Sequence, residues 1–209
     1  MRLGEDQIAT ENLKKVIISD PERRYRAFET AWLIFKDSGV ITDNIITDES
    51  IVDYLQFLIR KRDVNESKKI FDSIRKNNLE QNIDDRTFRD YINLLIAHKE
   101  IDYAYAEWRN KYPLETPDLV WNSGFENDIL NYGFDWIINN GNGFKVSIDV
   151  ADNSKNLRID FNGQENLDFR NLYQIVPVEP GSVYDFIYNM ETLDITTRNG
   201  LGWEIICFN

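Results

Sequence analysis

Two hydrophobic periods divide the chain near residue 112. Before that point, large apolar residues recur at spacings of three and four, which predicts amphipathic α-helices. The clearest stripe is formed by Tyr25, Phe28, Trp32 and Phe35. Asp20 followed by Pro21 predicts the N-terminus of this helix, and Gly39 predicts its end. Residues 47–50 then predict the start of another helix, whose apolar face comprises Ile51, Tyr54, Leu55, Leu58 and Ile59.

An internal repeat lies inside this helical part. The apolar residues of one copy are Tyr54, Leu55, Leu58, Ile59, Val64 and Phe71. They are matched 37 residues later by Tyr91, Ile92, Leu95, Ile96, Ile101 and Trp108. Each copy predicts a helix, a short polar turn (Arg62-Asp63 or Lys99-Glu100) and a second helix, and such hairpins bury their apolar faces by stacking. The period resembles that of tetratricopeptide repeats, so residues 1–112 are expected to form a tetratricopeptide-like solenoid with a degenerate first hairpin.

A different pattern follows a short linker at residues 113–119. Eight of the ten glycines and fourteen asparagines lie beyond residue 119, and the hydrophobic period drops to two. Such alternation predicts half-buried strands, here at Val146/Ile148/Val150, Leu157/Ile159/Phe161 and Tyr184/Phe186/Tyr188. Turn-forming runs separate them at 139–143, 162–163 and 180–182. A last apolar stretch at 203–208 predicts one more strand, so residues 120–209 are expected to form an antiparallel β-sandwich or jelly roll.

The order of short motifs in this second part carries a resemblance to a known family. The motifs are, in order, Asn122-x-Gly124-Phe125-Glu126, Gly133-Phe134-Asp135-Trp136, Leu157-Arg158-Ile159-x-Phe161-x-Gly163, Tyr173-Gln174-x-Val176-Pro177-Val178-x-Pro180-Gly181-x-x-Tyr184 and Gly200-x-Gly202-Trp203-Glu204-Ile205. Together they resemble the galactose-binding-like jelly rolls of the family 4/9 carbohydrate-binding modules. They resemble still more the variant that follows tetratricopeptide-type repeats in bacterial proteins linked to exopolysaccharide export.

The resemblance implies an α+β multidomain protein in which a non-catalytic carbohydrate-binding module is joined to a helical docking scaffold. Its expected setting is bacterial cell-surface polysaccharide assembly, with a polysaccharide or oligosaccharide and a protein as partners. Such modules are longer than residues 120–209, so we expect the jelly roll to be incomplete, either because the chain is a fragment or because a neighbouring chain supplies strands. The alternative is a protein–protein scaffold whose β-sandwich is purely structural.

Six residues are candidates for sugar binding. Aromatic faces stack on the C–H surfaces of sugar rings, and planar polar side chains read the hydroxyls. The resemblance implies a concave sheet face as the platform, with Trp136, Tyr173 and Trp203 as stacking residues. The polar candidates on strands are Arg158, Asp160 and Gln174. Core packing is the alternative for each aromatic residue. Plain solvent exposure is the alternative for the two charged candidates, which alternate with apolar neighbours and so face away from the interior.

Glu126 is a separate candidate. Relatives of the jelly roll often carry a structural calcium ion near the first strand, held by carboxylate and backbone oxygens. Glu126 lies in the matching motif, so the resemblance implies that it is a calcium ligand. The alternative is a solvated surface glutamate, and no other cofactor is expected.

Charge and rare residues narrow the range of functions. The formal charge is −12, and residues 119–209 hold five Lys and Arg against thirteen Asp and Glu, which would repel the phosphates of nucleic acids. No run of eighteen apolar residues predicts a membrane span. His98 and Cys207 are predicted to be a helix-surface residue and a buried small hydrophobe. Neither of them, nor the pair of Glu126 and Glu204, has the spacing of a catalytic site, so we expect no enzymatic activity. Residues 1–6 lack the features of a signal peptide, but a fragment of an exported protein would not show its signal, so the localisation stays open.

Overall fold

The chain folds into two compact units, residues 1–113 and 114–209. The computed structural model describes residues 3–113, 119–151, 154–164, 167–194 and 200–207. The described part contains seven α-helices, all in the first unit, and two antiparallel sheets of two strands each, both in the second. The expected α+β class is therefore confirmed. The described strands do not amount to a sandwich or jelly roll.

The first unit is entirely helical. Its helices are α1 (Leu3–Ser19), α2 (Arg24–Phe35), α3 (Ser38–Asn44), α4 (Ile51–Lys61), α5 (Val64–Lys76), α6 (Asp85–Ala97) and α7 (Ile101–Lys111). Short 3-10 helices occupy Pro21–Arg23 and Glu80–Asn82. The sequence pattern did not predict α1, in which Ile17 is the apolar residue that is fully buried.

The helix ends confirm one predicted boundary and contradict another. Asp20 is an N-cap as predicted, with its carboxylate accepting the N–H of Arg23 at 3.3 Å. The prediction that Gly39 ends the helix is wrong, because α2 already ends at Phe35 and the next residue, Lys36, takes the left-handed conformation with φ 52°. Asp37 then caps a new helix by accepting the N–H of Val40 at 3.2 Å. Gly39 therefore lies inside α3, where the capping aspartate outweighs the low helix propensity of glycine.

The two copies of the 37-residue repeat form two helical hairpins, α4–α5 and α6–α7. Arg62 and Lys99, which occupy equivalent positions in the two turns, both have positive φ values, of 58° and 63°. In each turn the following N–H bonds to the carbonyl five residues earlier, at 3.1 and 3.0 Å. This pattern closes the end of each first helix in the same way. The sequence repeat is therefore also a repeat of backbone geometry.

Aromatic rings join successive hairpins. Phe28 of α2 lies with its ring 5.1 Å from that of Tyr54 and 5.6 Å from that of Phe57, both on α4. Phe71 of α5 stacks on Tyr91 of α6 with 4.4 Å between ring centroids. These rings are almost completely buried and form the centre of a continuous core.

Polar pairs link the second helices of the two hairpins, α5 and α7. They are Lys68–Glu100, Asp72–Tyr103 and Arg75–Glu107. The donor–acceptor distance is 2.8 Å in the first two pairs. Their members recur three or four residues apart on each helix, so they form one row of contacts.

The second unit contains strands β1 (Ile137–Ile138), β2 (Phe144–Ala151), β3 (Ser154–Phe161) and β4 (Leu172–Tyr173). β1 pairs with β4 and β2 with β3. In the longer hairpin Phe144 lies opposite Phe161 and Val146 opposite Ile159, which confirms two of the predicted strands. The predicted turns contain Gly143, Gly163 and Gly181, which have φ values of 83°, 70° and 81°.

The predictions of two other strands are wrong. Residues 184–188 and 203–207 belong to no sheet, because no described backbone group pairs with theirs, and residue 208 lies outside the described part. Most of the predicted linker, residues 114–118, also lies outside it. The prediction that Cys207 is buried is wrong as well, because this cysteine is exposed. His98, at the end of α6, lies on the surface as predicted.

Candidate functional site

The Asn122 motif, at the start of the second unit, is held together by the side chain of Asn122. Asn122 has φ 50°, and its amide both accepts the N–H and donates to the carbonyl of Asn127, at 3.0 and 2.9 Å. The carbonyl of Asn122 accepts the indole N–H of Trp136 at 3.1 Å. Phe125 packs on the same indole with 5.4 Å between ring centroids. The motif therefore folds the loop back on itself and fixes Trp136.

Asp135 holds the next turn of the same loop. Its carboxylate is fully buried and accepts the N–H groups of Leu130 at 2.6 Å and Trp136 at 2.7 Å. Burial raises the pKa of Asp135, although both hydrogen bonds act in the opposite direction. Both oxygens are used by the backbone, so this carboxyl group positions the chain around Trp136.

An aromatic cluster, defined here as Trp136, Phe186, Tyr188 and Trp203, is built on this base. The ring of Trp203 lies 5.7 Å from Trp136, 5.6 Å from Phe186 and 6.1 Å from Tyr188. Trp136 is 5% exposed, whereas Trp203 is 41% exposed. The structure thus brings two of the three aromatic candidates together, with Trp136 as the support and Trp203 as the ring that solvent reaches.

A charged group of Arg170, Asp168 and Glu204 lies in the same unit as the aromatic cluster. Glu204, the neighbour of Trp203 in sequence, has its carboxylate 3.3 Å from the guanidinium of Arg170. Arg170 also pairs with Asp168 at 3.1 Å. All three side chains are exposed, and the hydrogen bond to Asp168, followed by the charges of both carboxylates, raises the pKa of Arg170. Donors and acceptors in planar groups therefore accompany the aromatic cluster.

Tyr173 and Gln174 make other contacts. Gln174 uses its amide on the chain itself, accepting the N–H of Trp121 at 3.0 Å and donating to its carbonyl at 2.9 Å. Tyr173 lies opposite Ile137 at the short β1–β4 ladder and is 44% exposed. Within the described residues, no ring contact joins Tyr173 to the aromatic cluster. The amide of Gln174 therefore stabilises the fold, and among the described residues Tyr173 makes no ring contact with Trp203.

Arg158 and Asp160 form a second charged group on the outer face of β3. Arg158 contacts Asp160 at 2.8 Å and Asp149, on β2, at 3.2 Å. The two charged candidates are exposed, while their neighbours Leu157 and Ile159 are half-buried, as the alternation predicted. These carboxylates raise the pKa of Arg158, with the hydrogen bond to Asp160 as the largest cause. In the part of the chain that is described, no side-chain contact joins this group to the aromatic cluster.

Glu126, the predicted calcium ligand, lies on the surface of the second unit. The backbone carbonyl of Glu126 accepts a hydrogen bond from the ammonium group of Lys155 at 2.7 Å, so a cation already uses that oxygen. No group of three metal-ligating side chains forms within the described residues. Calcium usually takes six to eight oxygen ligands, including carboxylates. Glu126 by itself does not supply such a set.

Sequence reasoning missed part of this site. Phe186 and Tyr188 are predicted as strand residues. Residues two apart in an extended chain lie on the same side of it, so the sequence does indicate that these two rings share one side. No sequence pattern predicts the ion pairs of Arg170 with Asp168 and Glu204. The pair with Glu204 forms only because the fold brings residues 170 and 204 together.

The helical unit has a separate surface groove of about 660 Å³. It lies beside α1, α2 and α3, and its lining consists of three apolar, three acidic and three uncharged polar residues. The lining residues that matter here are Ile34, Phe35, Val40, Asp6, Glu11 and Asp37. This composition suits a partner that has both apolar and basic side chains.

The comparisons with known proteins give no match from which a function of the site could be inferred. No protein-family model, no curated protein and no solved structure matches the chain. Among the described helices, none combines the length and the apolar character needed to cross a membrane.

Proposed function

We propose that the second unit is a non-catalytic carbohydrate-binding module and that the helical unit is its docking scaffold. The expected setting is bacterial cell-surface polysaccharide assembly, and the proposed fold of the module is a galactose-binding-like jelly roll. The observation that carries the proposal is the half-exposed ring of Trp203, seated on buried Trp136. The ordered motifs of the sequence and their resemblance to carbohydrate-binding modules support the same function.

The geometry suits a sugar for a physical reason. A sugar ring presents C–H groups on its faces and hydroxyls around its rim, so a binding site needs an aromatic plane with hydrogen-bonding groups beside it. Trp203 supplies the plane, and its packing against Phe186 and Tyr188 holds it in place. Glu204 follows Trp203 in the sequence and pairs with Arg170, so the same unit offers acceptors and donors as well as the plane.

Glycan-array screening of the full chain, followed by titration calorimetry with the best oligosaccharide, tests this function. Trp203→Ala should weaken binding by about tenfold or more, because the stacking plane is lost. Tyr173→Ala is the matched control, since Tyr173 has a similar exposure of 44% against 41% and lies outside the aromatic cluster. Hydrogen exchange of β2 and β3 would verify that both variants fold. Equal losses in the two variants, or no loss in Trp203→Ala, would contradict the proposed site.

A protein–protein scaffold is the second candidate, and the groove beside α1, α2 and α3 favours it. The test uses a synthetic amphipathic helix of Leu and Lys added to the full chain. Val40→Lys, in the groove, should abolish saturable binding, whereas Leu33→Lys, outside it and exposed, should not. This result, combined with no response to any glycan, would replace the carbohydrate proposal by the scaffold one.

A further inference from the structure

Residues 182–193 run in one direction and alternate in exposure. They contain no turn, no bend and no positive φ. The even-numbered residues Tyr184, Phe186, Tyr188 and Met190 are between 42% and 48% exposed. The odd-numbered apolar residues project fully, with Val183 at 95%, Ile187 at 87% and Leu193 at 78%. Both sets are exposed, but the odd-numbered side chains are more so, which is the two-residue period of an extended segment.

No described residue pairs its backbone with this segment. No backbone–backbone hydrogen bond joins residues 183–193 to any other described residue. An extended row of free N–H and C=O groups is the template on which a strand from another chain adds, with the backbone giving affinity and alternate side chains giving specificity. The unpaired backbone and the projecting apolar side chains therefore point to the same kind of partner.

Charge restricts the partner further. No Lys or Arg occurs between Arg170 and Arg198, and acids occur at 179, 185, 191 and 194. Asp185 and Glu191 have the same parity as Val183, Ile187 and Leu193, so acids and apolar side chains share the projecting face. In-register parallel pairing with a second copy, or antiparallel pairing that sets Asp185 opposite Glu191, would bring acids against acids, which disfavours these forms of self-pairing.

We propose that residues 183–193 accept a β-strand from a partner protein. On the face next to Val183, Asp185 and Ile187, this strand carries apolar, basic and apolar residues in turn. Cross-strand pairs of this kind are favourable on both counts, apolar against apolar and Lys or Arg against Asp. The specificity of this binding rests on the odd-numbered side chains, whereas the contacts with Trp203 come from the even-numbered Phe186 and Tyr188.

Fluorescence anisotropy with a labelled peptide, Val-Thr-Lys-Thr-Val-Thr-Lys-Thr-Val, tests the proposal on the full chain. We expect saturable binding and slowed hydrogen exchange at residues 183–193. A peptide with Glu in place of Lys, and a Lys peptide N-methylated at alternate residues, should each bind about tenfold more weakly or worse. The first removes the charge match and the second removes backbone donors.

A charge-swap variant makes the test specific to one residue. Asp185→Lys should weaken binding of the Lys peptide by about tenfold, because like charges opposite one another are unfavourable. The same variant should bind the Glu peptide more tightly than the unchanged chain does. Asp185 is exposed, so this change should leave the fold intact. Equal binding of the N-methylated peptide, protection of another segment, no effect of the swap, or self-association through residues 183–193 in sedimentation would each overturn the proposal.

Discussion

The two units use apolar residues in opposite ways. In the helical unit, Leu58 and Leu95 are fully buried at equivalent positions of the repeat. In the second unit, large apolar residues such as Val183, Ile187 and Ile205 project into solvent. A helix satisfies its backbone internally and needs a neighbour only for one face. A strand needs another strand for its backbone as well, so an extended segment without one stays exposed.

The units also differ in what holds their irregular parts. Helix caps such as Asp63, which accepts the N–H of Glu66 at 3.1 Å, act within four residues. In the second unit, the pair of Gln174 and Trp121 joins positions 53 residues apart. Order there depends on a few long-range polar contacts, so single polar changes should matter more in it than in the helical unit.

The largest expected effect concerns the repeated core. Leu58→Ala and Leu95→Ala should each lower the free energy of unfolding of the helical unit by about 2–5 kcal/mol, because each leaves a cavity at a fully buried site. Hydrogen exchange of α4 to α7 in the full chain would measure both losses. Leu33→Ala, at an exposed position, is the control and should cost little. A loss below about 1 kcal/mol at one of the two sites would show that the repeat is not energetically equivalent.

A smaller effect is expected at the long-range clamp of the second unit. Gln174→Glu replaces the amide donor to the Trp121 carbonyl by an oxygen, which leaves two acceptors facing one another. The free energy of unfolding of this unit should fall by about 1–3 kcal/mol. Hydrogen exchange in residues 119–136 reports the change. Gln164→Glu, an identical change at an exposed position, should leave exchange there unaltered, and a similar loss in both variants would mean that charge alone is responsible.

The helical hairpins could be predicted because their information is local. Apolar spacing defined α4 to α7, and the polar turns at 62–63 and 99–100 were read directly from the sequence. The sequence pattern does not predict helix α3, because Gly39 predicts the end of α2. In the structure Asp37 caps a new helix that begins at Ser38. Helix α1 was missed because its apolar residues do not form one clear stripe.

The second unit was predicted less completely because its contacts are long-range. Alternation predicted β2 and β3, and it also predicted the alternating exposure at 184–188, but alternation does not say whether a partner strand is present. Spacing could suggest Trp136 and Trp203 separately, but not that one lies on the other. Gln174 was a sugar-binding candidate because no local pattern reveals that its amide is engaged by residue 121.

The smallest expected effect tests whether the odd-numbered side chains of residues 183–193 contribute to the stability of the second unit. Ile187→Ser should change the free energy of unfolding of the second unit by less than about 0.5 kcal/mol, because a side chain that is 87% exposed buries little apolar area. Ile92→Ser, the same substitution at a fully buried site of α6, is the matched contrast and should cost several times more. Hydrogen exchange of each unit in the full chain measures both. A cost above about 1.5 kcal/mol at residue 187 would mean that this face is covered in solution, which would remove the contrast between the two units.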